Sequence, residues 1–98
     1  MRIRDWRPMQ KGALLGFAKV EQPSGQILND CTIMAGSDGP WASPPSKPMV
    51  GKDGRVITDD RGKTKYSPII EFTSKDVRSR WSDAVIAALR EAHPEAFR

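Results

Sequence analysis

Hydrophobic and polar positions alternate along residues 14–20. Leu14, Gly16, Ala18 and Val20 fall on one side, and Leu15, Phe17 and Lys19 on the other. That period of two belongs to a half-buried strand. A second run, 27–35, places Ile27, Cys31, Ile33 and Ala35 on one face and Asp30 and Thr32 on the opposite one, with Leu28 and Met34 beside them. Pro23 and Gly25 between the runs mark a hairpin loop. Residues 1–9 are expected to form an earlier strand that ends at Pro8, followed by a Lys11-Gly12 turn. Gly36 and Gly39 frame another turn, Trp41-Ala42-Ser43 makes a short strand, and Pro44-Pro45 stiffens its exit. Residues 66–72 read as the last strand, with Ile69 and Ile70 central and Pro68 marking an edge.

The period then changes. Val77, Trp81, Ala84, Val85, Ala88, Leu89 and Ala92 recur at helical spacing and form one apolar stripe. Thr73 is placed to cap the helix, with Asp76 three residues on, and Pro94 ends it. The stripe is expected to lie on the sheet with Trp81 as its largest contact. Ile86 falls on the opposite side of the wheel, either exposed or facing a partner.

These elements predict an α+β fold: a small antiparallel sheet with a C-terminal amphipathic helix packed on it. With 98 residues, 38% of them hydrophobic and 29% charged, the chain suits one folded domain spanning residues 1–98. No internal repeat and no second domain is visible. Residues 47–65 are rich in Gly, Lys, Arg and Asp and hold the apolar pair Val56-Ile57. They read as a long basic loop, a feature that is uncommon in a compact domain unless mobile or functional.

Net charge is +4, with +3 in residues 1–11 and +3 in residues 47–65 against −2 in residues 12–46. This is compatible with a polyanionic partner. The single cysteine, Cys31, excludes an internal disulfide, and no apolar run approaches a membrane span. The first ten residues lack the apolar core of a signal peptide, so a cytoplasmic protein is the expectation.

Candidate catalytic chemistry is sparse. His93 is the one histidine and sits at the helix end, where a cation suits the dipole. Cys31 lies mid-strand as a small core residue, and Asp59-Asp60 reads as a solvated turn. Gly36-Ser37-Asp38-Gly39 lacks the lysine and following helix of a phosphate loop. Neither a metal site nor a nucleophile pair has supporting spacing, so neither catalysis nor a cofactor is expected. Nucleic acid fits better. Lys75, Arg78 and Arg80 gather near the helix start, and Lys63 and Lys65 form a basic loop tip. Each of these sets also has an ordinary reading as a solvated surface. Trp41 and Trp6 can stack on bases, although a core or dimer interface is the more frequent place for a tryptophan.

Three stretches in order resemble the SpoVG (stage V sporulation protein G) family. They are Leu28-Asn29-Asp30-Cys31-Thr32-Ile33-Met34 with Gly36 through Ala42, then Pro45-Ser46-Lys47, then Ser67-Pro68-Ile69 followed by Arg78 through Val85. The chain departs from the family at Pro44, usually Met, and in a longer segment between Lys47 and Tyr66. The resemblance implies a homodimer built by strand pairing, site-preferring binding of DNA, with RNA binding also attributed to the family, and a bacterial regulatory role touching septation or gene expression. It makes Arg78 and Arg80 the counterparts of the family's basic helix residues and Lys47 that of its signature lysine. The alternative expectation is a protein-interaction module with no nucleic-acid role, since Asp53, Asp59, Asp60, Asp76 and Asp83 are interspersed among the cations.

Overall fold

The computed structural model describes residues 1–97. Four antiparallel strands, β1 (Arg2–Lys11), β2 (Leu14–Glu21), β3 (Ile27–Gly36) and β4 (Gly39–Ser43), form a sheet in sequential order. β5 (Ser46–Pro48) and β6 (Tyr66–Pro68) pair separately, and α1 (Lys75–Ala92) packs on the four-stranded sheet. The architecture is the expected α+β arrangement. Ala18 and Val20 of β2, Cys31 and Ile33 of β3 and Ala42 of β4 meet Trp81, Val85, Ile86 and Leu89 of the helix in one core. Trp81 also donates its indole N–H to Gln22 Oε1 at 3.1 Å and lies against Phe72, with ring centroids 5.4 Å apart.

The first strand runs past Pro8 to Lys11. Pro8 pairs with Gly16 on an edge strand, where its missing donor costs no ladder bond. The face assignment of β3 changes at Asp30, whose φ is +57°. Ala18 pairs with Cys31 but Val20 pairs with Leu28, so β3 carries one extra residue there. The bulge shifts the alternation. Leu28 packs on the core, and Ile27, expected beside Cys31, is exposed. A similar irregularity between Leu14 and Gly16 brings Leu15 against the core.

The helix cap is Ser74 rather than Thr73, its hydroxyl accepting from the Val77 N–H at 3.2 Å. The buried face is centred on Trp81, Ser82, Val85, Ile86 and Leu89. It lies roughly 70° round the helix from the expected stripe, given about 100° per residue. Ile86 is therefore a core residue and not an exposed or partner-facing one. The reason is Ser82, a polar residue on the packed face: its hydroxyl accepts from the Ala42 N–H at 2.8 Å and ties the helix to β4. His93 closes the helix, its N–H donating to Leu89 O and its Nδ1 lying 3.0 Å from Glu95 Oε1.

The segment read as a long loop is a hydrogen-bonded unit. Residues 46–68 fold into three short β ribbons that meet at one point. The first is the β5–β6 pair; the second is closed by the Val50–Val56 bridge and the third by the Thr58–Thr64 bridge. At their junction Met49 N–H donates to Lys65 O, Lys65 N–H to Ile57 O and Ile57 N–H to Met49 O, at 2.8, 2.9 and 2.9 Å. The strand expected over 66–72 consequently stops at Pro68 and pairs with β5; Ile69 is exposed.

This unit also holds a repeat of eight residues that the side chains conceal. Gly51 N–H donates to Arg55 O, and Asp59 N–H to Lys63 O; Gly54 N–H donates to Gly51 O, and Gly62 N–H to Asp59 O. Gly54 and Gly62 both have φ +79°. The second and third ribbons thus each end in a tight turn with a left-handed glycine, a three-residue hairpin connection that glycine favours at its last position. Only the backbone is repeated: glycine is the one residue type the two turns share at equivalent positions.

Candidate nucleic-acid interface

Residues directly opposite in a β ribbon share a face, and neighbours along a strand alternate. Applied to the three ribbons, this sorts residues 46–68 by parity. The pairs Pro48–Tyr66, Val50–Val56 and Thr58–Thr64 put six uncharged side chains on one face. The odd strand positions carry Lys47, Arg55, Lys63 and Lys65 on the other, around Met49 and Ile57, with Asp59; the turns add the charged Lys52, Asp53, Asp60 and Arg61. A Cβ on Gly51 would lie 3.1 Å from Asp53 Oδ1 and 3.9 Å from Ile57 Cγ1, which places the Asp53 carboxylate and Ile57 beside Gly51.

The acids of this unit have local tasks. Asp59 Oδ1 accepts the backbone N–H groups of Arg61 and Lys63, both at 2.9 Å, and so shapes the third ribbon's turn. Asp53 Oδ1 does the same for Arg55 N–H at 3.0 Å, and its other oxygen lies 4.0 Å from the exposed Arg55 guanidinium. Among the described residues the ion pairs involve Arg4, Arg7, Arg55 and His93. Lys47, Lys63, Lys65, Lys75, Arg78 and Arg80 are exposed and take part in none of them.

Five of these six residues occupy two places. Lys47, Lys63 and Lys65 share the odd face of the ribbon unit. Lys75 and Arg78 line a groove of about 430 Å³ between the helix start and the segment leading out of β4, where Pro44, Ser46, Pro68 and Phe72 form the walls. Glu71 lines it too. Arg80 stands apart on the helix and donates from Nε to Asp76 O at 3.4 Å. The helix cations and the ribbon cations do not form one cluster.

Ser43, Pro44, Pro45 and Ser46 all line the groove, so strand alternation does not carry across the two prolines. On β4 itself Ala42 is buried toward the helix and Trp41 holds the alternate position, on the side away from it. That side includes the uncovered face of the sheet, where Arg7 pairs with Phe17, Phe17 with Thr32 and Met34 with Trp41. The Arg7 guanidinium lies 5.8 Å from the Phe17 ring centroid and pairs with Asp30. Trp41 is 41% exposed. Trp6, by contrast, packs on the core and covers Gly16. The two tryptophans weighed together in the sequence therefore part company.

Cys31 is buried, and burial, followed by the nearby Asp30 charge, pushes its thiol up to about 12. Such a thiol is protonated and unreactive at neutral pH. Among the described residues no group of three or more His, Cys, Asp or Glu could hold a metal ion. No described helix is long and apolar enough to cross a membrane.

No protein-family model, curated protein or solved structure matches the chain.

Proposed function

We propose that this protein is a non-catalytic nucleic-acid-binding regulator that works as a homodimer, as its resemblance to the SpoVG family implies. The observation that carries the reading is the one-sided sorting of charge in residues 46–68. Lys47, Arg55, Lys63 and Lys65 share one strand parity, while the paired positions of the other parity, Pro48, Val50, Val56, Thr58, Thr64 and Tyr66, hold no charge. A solubilising loop has no need of such sorting, whereas a phosphate backbone does, since cations must be presented together to displace its counterions. Lys75 and Arg78 at the groove add a second, separate contact for a strand passing round the edge of β4.

Dimerisation by strand pairing has one natural place. On β4 the Ala42 N–H is taken by Ser82, so that edge is closed at its middle by the helix. β1 is the other edge strand of the sheet, ten residues long.

One observation favours a protein-interaction module instead. Val50, Val56 and Tyr66 are 58%, 48% and 61% exposed on the uncharged face of the ribbon unit. A clustered apolar surface of this kind suits a protein partner.

Titrating labelled DNA and RNA at 50 and 200 mM salt separates the two readings. Binding through phosphates weakens steeply between those concentrations, with a logarithmic slope of about 0.7–0.9 per contact. Absence of binding at low salt, together with a stoichiometric protein partner retained after nuclease treatment, would replace the nucleic-acid reading by the interaction module. Light scattering at micromolar concentration tests the dimer, and a clean monomer would refute it.

A further inference from the structure

The sheet has one face under the helix and one face with no element of this chain on it. Beside Thr32 and Met34, the open face carries flat groups. Phe17 lies on β2 under the Arg7 guanidinium, and Trp41 lies on β4. Their positions are fixed by the register. Thr32 pairs with both Phe17 and Ser43, so Phe17 is level with Ser43, and Trp41 is two residues further along β4. With strands about 4.8 Å apart and about 3.4 Å per residue, the backbones of the two residues stand about 12 Å from each other.

Trp41 is held in place. A Cβ on Gly36 would come within 2.9 Å of Trp41 Cδ1 and 3.2 Å of Nε1. The indole therefore leans on the bare glycine backbone, which settles where it lies. An indole that is positioned and yet 41% exposed is unusual for a ring serving only the core.

We infer that this open face is a stacking platform for the unpaired bases of single-stranded nucleic acid. The inference rests on the nucleic-acid reading above and narrows it. Three features select this occupant. The exposed groups are the Trp41 indole and the Arg7 guanidinium, which lies over half-buried Phe17, and both kinds stack on bases of any sequence. Charge at the middle of the face is balanced: Arg7 pairs with Asp30, and Lys19 stands opposite Asp5. The surplus of cations begins at Lys47, four residues beyond the end of β4. Bases would thus rest on the sheet while their phosphates run on to the ribbon unit. A duplex fits poorly, because its bases are stacked on one another and a broad sheet face does not reach them.

The test uses the full chain with three probes: a single-stranded oligothymidylate, a duplex of equal length and inorganic polyphosphate. Trp41→Ala is expected to lower single-strand affinity roughly 5- to 150-fold, the range of one base stack. Polyphosphate affinity stays unchanged, and Trp41→Phe restores most of the loss. Gly36→Ala, which keeps the indole but displaces it, weakens single-strand binding in the same direction. Trp41→Ala binding the single strand as tightly as the wild type would overturn the platform and leave the phosphate reading standing. A wild-type chain that binds none of the three probes would overturn both. Circular dichroism melts of each variant establish that it is folded.

Discussion

Ser82 shows how one polar atom sets the packing of this molecule. Its hydroxyl satisfies the Ala42 N–H inside the helix–sheet interface. Ser82→Ala leaves that donor buried without a partner and is expected to cost about 1–3 kcal/mol, read by chemical denaturation. Ser79→Ala, on the exposed side, is expected to change stability by less than about 0.5 kcal/mol. Cys31 gives a second prediction. Its thiol ionises near 12 in the folded protein and near 9.0 once unfolded. Above pH 9 the unfolded chain loses this proton first, so stability falls as pH rises from about 9 to about 12. Cys31→Ser or Cys31→Ala removes that part of the slope in alkaline melts. Single residues are also where the sequence misleads. Counting apolar positions put Ile86 outside the stripe because Ala84, Ala88 and Ala92 counted as fully as larger residues and drew its centre away from polar Ser82. The hydrogen bond that rotates the helix becomes visible only with β4 beside it. Ser74 stands next to the expected Thr73 cap, and both can cap; the choice depends on where the incoming chain turns.

Elements with a strong internal period were legible. β2, β3 and the helix follow from alternation and 3.6-residue spacing, and their bounds lie within a residue or so of expectation. The ribbon unit of 46–68 was not legible, and for a physical reason. It is held by backbone bonds among Met49, Ile57 and Lys65, three residues eight apart in sequence with nothing in common as side chains. Its sole sequence signals are Gly54 and Gly62. They also carry the next prediction. Both are at φ +79° with nothing near a new Cβ, so Gly54→Ala and Gly62→Ala meet strain alone. Each is expected to cost about 1–2 kcal/mol. The effect falls on the ribbons, seen as faster amide exchange at Ile57 and Lys65, with the core amides of β2 and β3 unaffected. Equal effects from the two variants would mark the two turns as equivalent.

The whole molecule has two unlike sides. The helix and its groove lie on one; the open sheet face, with Trp41, lies on the other. Of the six cations singled out in the sequence, Lys47, Lys63 and Lys65 belong to the ribbon unit, and Lys75 and Arg78 to the groove. Net charge and loop composition made the cations visible, but only strand parity shows which of the ribbon cations stand together. Arg55 joins them on that ground. A single comparison bears most directly on this account: the salt dependence of single-strand affinity for a Lys47, Lys63 and Lys65→Gln triple variant against a Lys75, Arg78 and Arg80→Gln triple variant. The ribbon variant is predicted to lose more affinity at low salt and to flatten the salt slope by about 2, close to 0.7 for each phosphate contact removed from a single strand. The helix variant is predicted to lose less. A ribbon variant with the slope and affinity of the wild type would contradict it.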